Sequence, residues 1–184
     1  MTSTITFSGG AEVTFELYPE IAPNTVNRYA YFADIGLYNG HSIERIVKNE
    51  LIDMSFSAFH DSRARKFIAN ETESGTYLPD EGFCVGMGGY PDGDRINIAA
   101  AEFFITLCPT PRITGKYPIF GRITAGFDIL KEIASSPLKN SGYMDILCPS
   151  FPVIIEKISI DGDTSCLSAP VFKPGISFPE NWMR

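Results

Sequence analysis

The residues best suited to chemistry are Arg45, in Ile43-Glu44-Arg45-Ile46-Val47, and two apolar-rich stretches further on. Those stretches are Glu102-Phe103-Phe104-Ile105-Thr106 and Gly115-Lys116-Tyr117-Pro118-Ile119-Phe120-Gly121. A guanidinium stays charged at any ordinary pH and holds several N–H donors in a rigid plane. Beside phenylalanine, isoleucine and tyrosine it makes an apolar groove with one fixed cation. Such a groove binds and polarises; it supplies no nucleophile.

Other chemistries find little support. His41 precedes Ser42 and His60 precedes Asp61, but neither pair sits in a G-x-S-x-G setting, and neighbours on a strand face opposite ways. Gly86-x-Gly88-Gly89 is not a dinucleotide fingerprint opening a helix. Glu50, Asp53 and Glu102 are not spaced as a metal-ligand loop. Cys84, Cys108, Cys148 and Cys166 contain no close pair of the kind that zinc sites use.

The elements that must position these residues follow from periodicity. Residues 11–18 alternate, with Val13, Phe15 and Leu17 on one face and Glu12, Thr14 and Glu16 on the other, as in a half-buried strand. Pro19 ends it. Pro23 suits the first turn of a helix, where its missing N–H costs nothing. Val26, Tyr29, Ala30 and Ala33 recur at i, i+3, i+4 and i+7, and Gly36 suits a C-terminal cap, so the spacing predicts a helix over 23–35. Residues 43–47, 51–56, 83–87, 102–107, 119–123 and 152–160 read as strands. Residues 57–82 are polar and weakly patterned, a long surface excursion. Gly88-Gly89-Tyr90-Pro91-Asp92-Gly93 reads as a loop. Phe127, Leu130, Ile133 and Ala134 predict a second helix, stopped by Pro137.

Strands, one helix, many short strands, one helix and a last strand do not make an alternating βαβ chain. A mainly β fold, a closed antiparallel eight-stranded β-barrel capped by two α-helices, best hides the sheet edges. Residues 1–160 are expected to form this barrel domain. Residues 161–184 hold Pro170, Pro174 and Pro179 without periodicity and read as a C-terminal tail or strap.

The bulk composition narrows the class. At 184 residues the chain can bury one proper core, and 44% apolar with 20% charged residues is ordinary for a globular protein. A net charge of −7 argues against nucleic acid and against anionic lipid as partners. No apolar run approaches the roughly 18–20 residues needed to cross a bilayer. The first residues lack a basic start and an apolar core, so the expected location is cytoplasmic, with the cysteines reduced and mostly buried.

The ordered set of motifs resembles the cyclophilins, a family of peptidyl-prolyl cis-trans isomerases, over roughly residues 5–160. The run from Val13 to Tyr29 is similar to the family's opening strand and Pro-rich helix entry. Glu44-Arg45-Ile46-Val47 resembles the strand with the catalytic arginine, and Gly86-Met87-Gly88-Gly89 stands at a Ser-Met-Ala-Asn stretch. Glu102-Phe103-Phe104-Ile105 resembles Gln-Phe-Phe-Ile. Residues 115–121 resemble Gly-Lys-His-Val-Val-Phe-Gly, at the family's spacing of eleven positions from Phe104 to Gly115. The resemblance implies an isomerase of X–Pro bonds, monomeric, without cofactor or metal, acting on proline-containing peptides or unfolded protein clients. It implies Arg45 as the catalytic residue and Leu51, Asp53, Gly88, Gly89, Glu102, Phe104, Ile113 and Tyr117 as peptide-binding residues.

The departures concern charge. Glu50 stands for a groove phenylalanine, Asp53 and Glu102 for glutamines, Arg112 for a tryptophan and Tyr117 for a histidine. If Glu50, Asp53 and Glu102 all surround Arg45, a carboxylate either positions the guanidinium or neutralises it. Glu102 pointing outward is the third arrangement. The two functional readings are therefore an isomerase and a non-catalytic binding module for proline-containing peptides. The tail's Ala169-Pro170 is a dipeptide that could itself occupy such a groove.

Overall fold

The computed structural model describes residues 1–142 and 145–175. Strands β1 (Thr2–Phe7) and β2 (Glu12–Leu17) alternate buried and outward positions, so Ser3, Ile5, Phe7, Val13, Phe15 and Leu17 share the inner face. Helix α1 (Pro23–Asp34) follows with Pro at its start and no side-chain cap of its own. The Glu71 carboxylate does this work from a distant loop, accepting from Asn24 N at 2.9 Å and Thr25 N at 2.8 Å.

The remaining strands are β3 (Arg45–Val47), β4 (Leu51–Asp53), β5 (Phe67–Ile68), β6 (Cys84–Asp92), β7 (Arg95–Thr106), β8 (Ile119–Ala125), β9 (Leu138–Asn140), β10 (Leu147–Pro149) and β11 (Ile155–Asp161). Helix α2 (Phe127–Ser135) lies between β8 and β9. All the strands but β9 and β10 form one nine-stranded antiparallel sheet in the order β11-β1-β2-β8-β6-β7-β4-β3, with β5 added on β7. Strands β9 and β10 pair separately. The sheet curls around an aromatic centre of Phe15, Tyr29, Phe32, Tyr38, Phe103 and Phe120. The Phe103 ring stands edge-on to Tyr38 at 5.2 Å and to Tyr29 at 5.3 Å. Helix α1 packs on β7 and β11, and α2 on β2.

The expected closed eight-stranded barrel is corrected to an open, curled sheet. Its edge strands β3 and β11 do not pair along their length. The seam is held by irregular backbone bonds instead, Gly40 N to Ile155 O at 2.8 Å, Ile155 N to His41 O at 2.8 Å and Ile43 N to Val153 O at 2.9 Å. Pro152 denies this seam a donor, which a continuous ladder would need. The expected loop at 88–93 is also corrected: β6 runs on to Asp92 and turns back at Gly93 into β7. The excursion at 57–82 is less superficial than its polarity implies, since Phe59, Phe67 and Ile68 are buried. Of the cysteines only Cys84 is buried; Cys166 is exposed, and Cys108, in a loop, and Cys148, on the separate β9–β10 pair, are half-buried.

The stretch after β11 lies along α1. Asn24 accepts from Val171 N at 2.8 Å and donates to Val171 O at 2.9 Å, and Ser168 N donates to Asn27 at 3.1 Å. Phe172 covers the buried Arg28, with the guanidinium 4.3 Å from the ring centre. Ala169-Pro170 is thus a strap against the helix and does not enter the groove beside Arg45. Pro179 and the rest of 176–184 lie outside the described residues.

Candidate functional site

Strand register builds the site. Arg45 on β3 stands opposite Asp53 on β4, Asp53 opposite Phe104 on β7, and Phe104 opposite Gly86 on β6. Cross-strand partners in an antiparallel sheet project to the same face. Glu102 shares that face, two residues from Phe104, while Phe103 between them points into the core. A Cβ at Gly86 would collide with the Phe104 ring, so only glycine lets that ring lie flat across β6. At Gly88 a Cβ would come within 3.0 Å of Glu102 Cγ and 3.1 Å of its carboxyl carbon, so this glycine makes room for the acid.

The result is a groove of about 390 Å³ that every sequence-derived site residue lines: Arg45, Leu51, Asp53, Gly88, Gly89, Glu102, Phe104, Ile113 and Tyr117. That volume is in the range of sites that hold small ligands or short peptide segments. The apolar wall is a cluster of Leu51, Cys84, Phe104, Ile113 and Ile119, with Tyr117 edge-on to Phe104 at 6.0 Å. Beyond Met87, among the described residues, β8 no longer pairs with β6, which leaves the edge at Gly88 and Gly89 beside the groove without a strand neighbour on that side. An extended peptide can pair with such an edge.

The polar wall holds the acids. Arg45 Nη1 donates to Asp53 Oδ2 at 3.2 Å, its one hydrogen bond among the described residues, and its side chain is 34% exposed. The guanidinium also lies 5.9 Å from the Phe56 ring centre. Asp53 and Glu102 are both buried. Glu102 accepts a hydrogen bond from the Tyr90 hydroxyl and meets the Asp53 carboxyl. Burial pushes both carboxyls above their usual range; the Asp53 charge drives Glu102 further, while Arg45 restrains the rise at Asp53. Burial and then the Glu102 charge push the Tyr90 phenol up as well.

The three acids do not gather around Arg45. Only Asp53 touches it; Glu102 acts one step behind, and Glu50 is the ion-pair partner of Arg112 on the groove rim. Glu102 faces the groove and not solvent. Phe56, Phe59, Tyr90, Arg112 and Ile146 also line the site and were not among the sequence-derived binding residues. Tyr90 was hidden by its Gly-Gly-Tyr-Pro-Asp-Gly setting, which reads as a turn. Among the described residues no group of three His, Cys, Asp or Glu side chains could hold a metal ion, and no helix is long and apolar enough to cross a membrane.

Comparisons with known proteins bear on the family and the fold. A family model described as cyclophilin-type peptidyl-prolyl cis-trans isomerase matches residues 2–159. A Mus musculus protein named peptidylprolyl isomerase domain and WD repeat-containing protein 1 is 27% identical over 150 residues, a match covering 78% of this chain and 23% of that protein. The chain thus spans about a quarter of the length of that relative. A Neurospora crassa peptidyl-prolyl cis-trans isomerase-like 1 is 32% identical over 124 residues, covering 67% of this chain and 76% of that one. The fold matches the crystal structure of a Cryptosporidium parvum cyclophilin-type isomerase determined in the presence of the dipeptide Ala-Pro. The TM-score is 0.70 at 20% identity, over 89% of this chain and 100% of that one.

Proposed function

The chain belongs to the cyclophilin-type peptidyl-prolyl cis-trans isomerase family, and on that footing we propose that it isomerises X–Pro bonds of peptides seated in the groove, with Arg45 as the catalytic donor. Rotation about the X–Pro bond faces a barrier of roughly 18–20 kcal/mol from amide resonance. No bond breaks, so catalysis consists of binding the twisted imide better than either planar isomer. Twisting pyramidalises the proline nitrogen and localises its lone pair. A guanidinium N–H held at that position is tightened only when the lone pair appears.

The observation that carries this reading is the Arg45–Asp53 pair on the rim of the Phe104 wall. One hydrogen bond at 3.2 Å fixes the guanidinium, and its other N–H groups make no hydrogen bond among the described residues. Phe104, Leu51, Ile113 and Tyr117 would take the proline ring, and the Gly88–Gly89 backbone would pair with the peptide. The presence of Ala-Pro with the Cryptosporidium structure supports proline-containing peptides as the substrate class.

A protease-coupled isomerase assay on an Ala-Pro peptide tests this. Removing one preorganised donor typically costs about 10²–10³ in kcat, so Arg45→Ala should lose activity on that scale. Equal rates for wild type and variant overturn the role of Arg45. An inactive wild type that still binds the peptide favours a non-catalytic binding module.

A further inference from the structure

Two buried carboxyl groups in contact, with one guanidinium beside them, cannot both carry charge cheaply. Donors and acceptors decide where the proton lies. Asp53 Oδ2 accepts from Arg45, but Asp53 Oδ1 is buried and has no hydrogen-bond donor. The Ser55 N–H is near enough to favour the Asp53 charge yet outside hydrogen-bond geometry. The group that meets Asp53 is Glu102, and a carboxylate there would offer only a second acceptor. A protonated Glu102 offers the missing donor. Its other requirement is met too, since the Tyr90 hydroxyl donates to Glu102 Oε2.

We infer that Glu102 is a positioning residue that works as a neutral acid: it donates a hydrogen bond to Asp53, accepts one from Tyr90, and through Asp53 holds Arg45 at the groove. This rests on the proposed isomerase reading for its catalytic consequence, but not for the proton assignment. The proton belongs on Glu102 and the charge on Asp53, because of the two acids Asp53 is the one paired with Arg45. A neutral acid presents one donor and one acceptor, the pattern of a side-chain amide. The site then carries one positive and one negative charge. Were Glu102 to ionise, a single guanidinium would face two carboxylates, Asp53 would lose its donor, and Arg45 would be drawn away from the groove.

The groups facing this pair come from several elements. They are Arg45 on β3, Asp53 on β4, Tyr90 on β6, and Tyr117 in the loop before β8, with Arg112 on the rim already paired to Glu50. Arg45 stays charged at any ordinary pH. Tyr90 and Tyr117 are pushed above the usual phenol range by burial, and Asp53 is the acid whose charge the Arg45 pair favours. The Cys84 thiol in the apolar wall is also pushed up by burial, so the alkaline fall that reports Glu102 is the one that Glu102→Gln removes.

The test has two readouts on the full chain. With ¹³C-labelled glutamate, the NMR spectrum at pH 7 should show one side-chain carboxyl carbon at the protonated-acid position, absent from Glu102→Gln. A spectrum in which every glutamate is ionised at pH 7 overturns the assignment. The pH profile of kcat/KM on an Ala-Pro peptide should fall on the alkaline side in wild type and lose that fall in Glu102→Gln, whatever the variant's absolute rate. The Tyr90 donor favours the ionised acid, so Tyr90→Phe should move the fall to higher pH. The same alkaline fall in wild type and Glu102→Gln overturns the positioning role. An inactive wild type overturns the isomerase reading, while the NMR result still decides the proton.

Discussion

The buried acid pair should make the fold lose stability as pH rises through neutrality, with the slope that one retained proton sets. Glu102 is buried and held above its usual range by that burial and by Asp53. If Glu102 is the neutral acid inferred above, the native chain near pH 7 keeps a proton that the unfolded chain, with an ordinary glutamate near pH 4.3, has released. One extra proton bound by the native state gives a slope of about −1.4 kcal/mol per pH unit. The sign is that of a raised acid: stability is greatest below the unfolded value and declines up to the folded one. For a domain of this size the slope corresponds to roughly 3–5 °C in Tm per pH unit. His41 is lowered by burial, so its own effect rises with pH and is complete by about 6.5, its ordinary value. Working between pH 7 and 8 avoids it. The assay is urea unfolding of wild type and Glu102→Gln at pH 7.0, 7.5 and 8.0. Wild type should lose midpoint with pH, with m unchanged, and Glu102→Gln should not. Parallel pH dependence in the two proteins refutes the placement of the proton.

Other outcomes follow from single contacts. Glu71→Ala removes the carboxylate that caps α1 from a distant loop, and should cost about 1–2 kcal/mol in urea unfolding. Gly86→Ala places a methyl against the Phe104 ring; it should cost about 1–3 kcal/mol and weaken peptide binding, read by calorimetry, without altering Arg45. Phe104→Ala strips the apolar wall; its near-complete burial predicts a loss of about 3–5 kcal/mol in stability together with a raised KM.

The site residues were legible through the resemblance to the cyclophilins, and strict side-chain alternation explains why they meet on one face. Phe103 and Phe104 had to face opposite ways, and register then placed Asp53 and Arg45 in one row with Phe104. Helix α1 was legible from Pro23 and its apolar spacing. Strand β1 was hidden because its inner face includes Ser3, a polar residue whose hydroxyl pairs with the Tyr29 hydroxyl at 2.8 Å. Strand β5 has two residues, too few to show a period. The second half of β6 was hidden by glycine and proline, which read as a turn but here allow close packing on β7 and Glu102. The separation of Glu50 from Arg45 depended on Arg112, a partner more than sixty positions away. Sheet closure could not be read, because it depends on how residues 40–43 meet 153–155 across the seam.

The central claim is that one guanidinium, held by Asp53 at the edge of an apolar groove, catalyses rotation of a bound X–Pro bond. NMR exchange spectroscopy on an Ala-Pro peptide sees binding and catalysis in the same sample. With catalytic amounts of wild type, cis–trans exchange peaks should appear; with Arg45→Ala the peptide lines should still broaden on binding but show no exchange. Exchange of equal strength with both proteins, or broadening without exchange for wild type, would contradict the account.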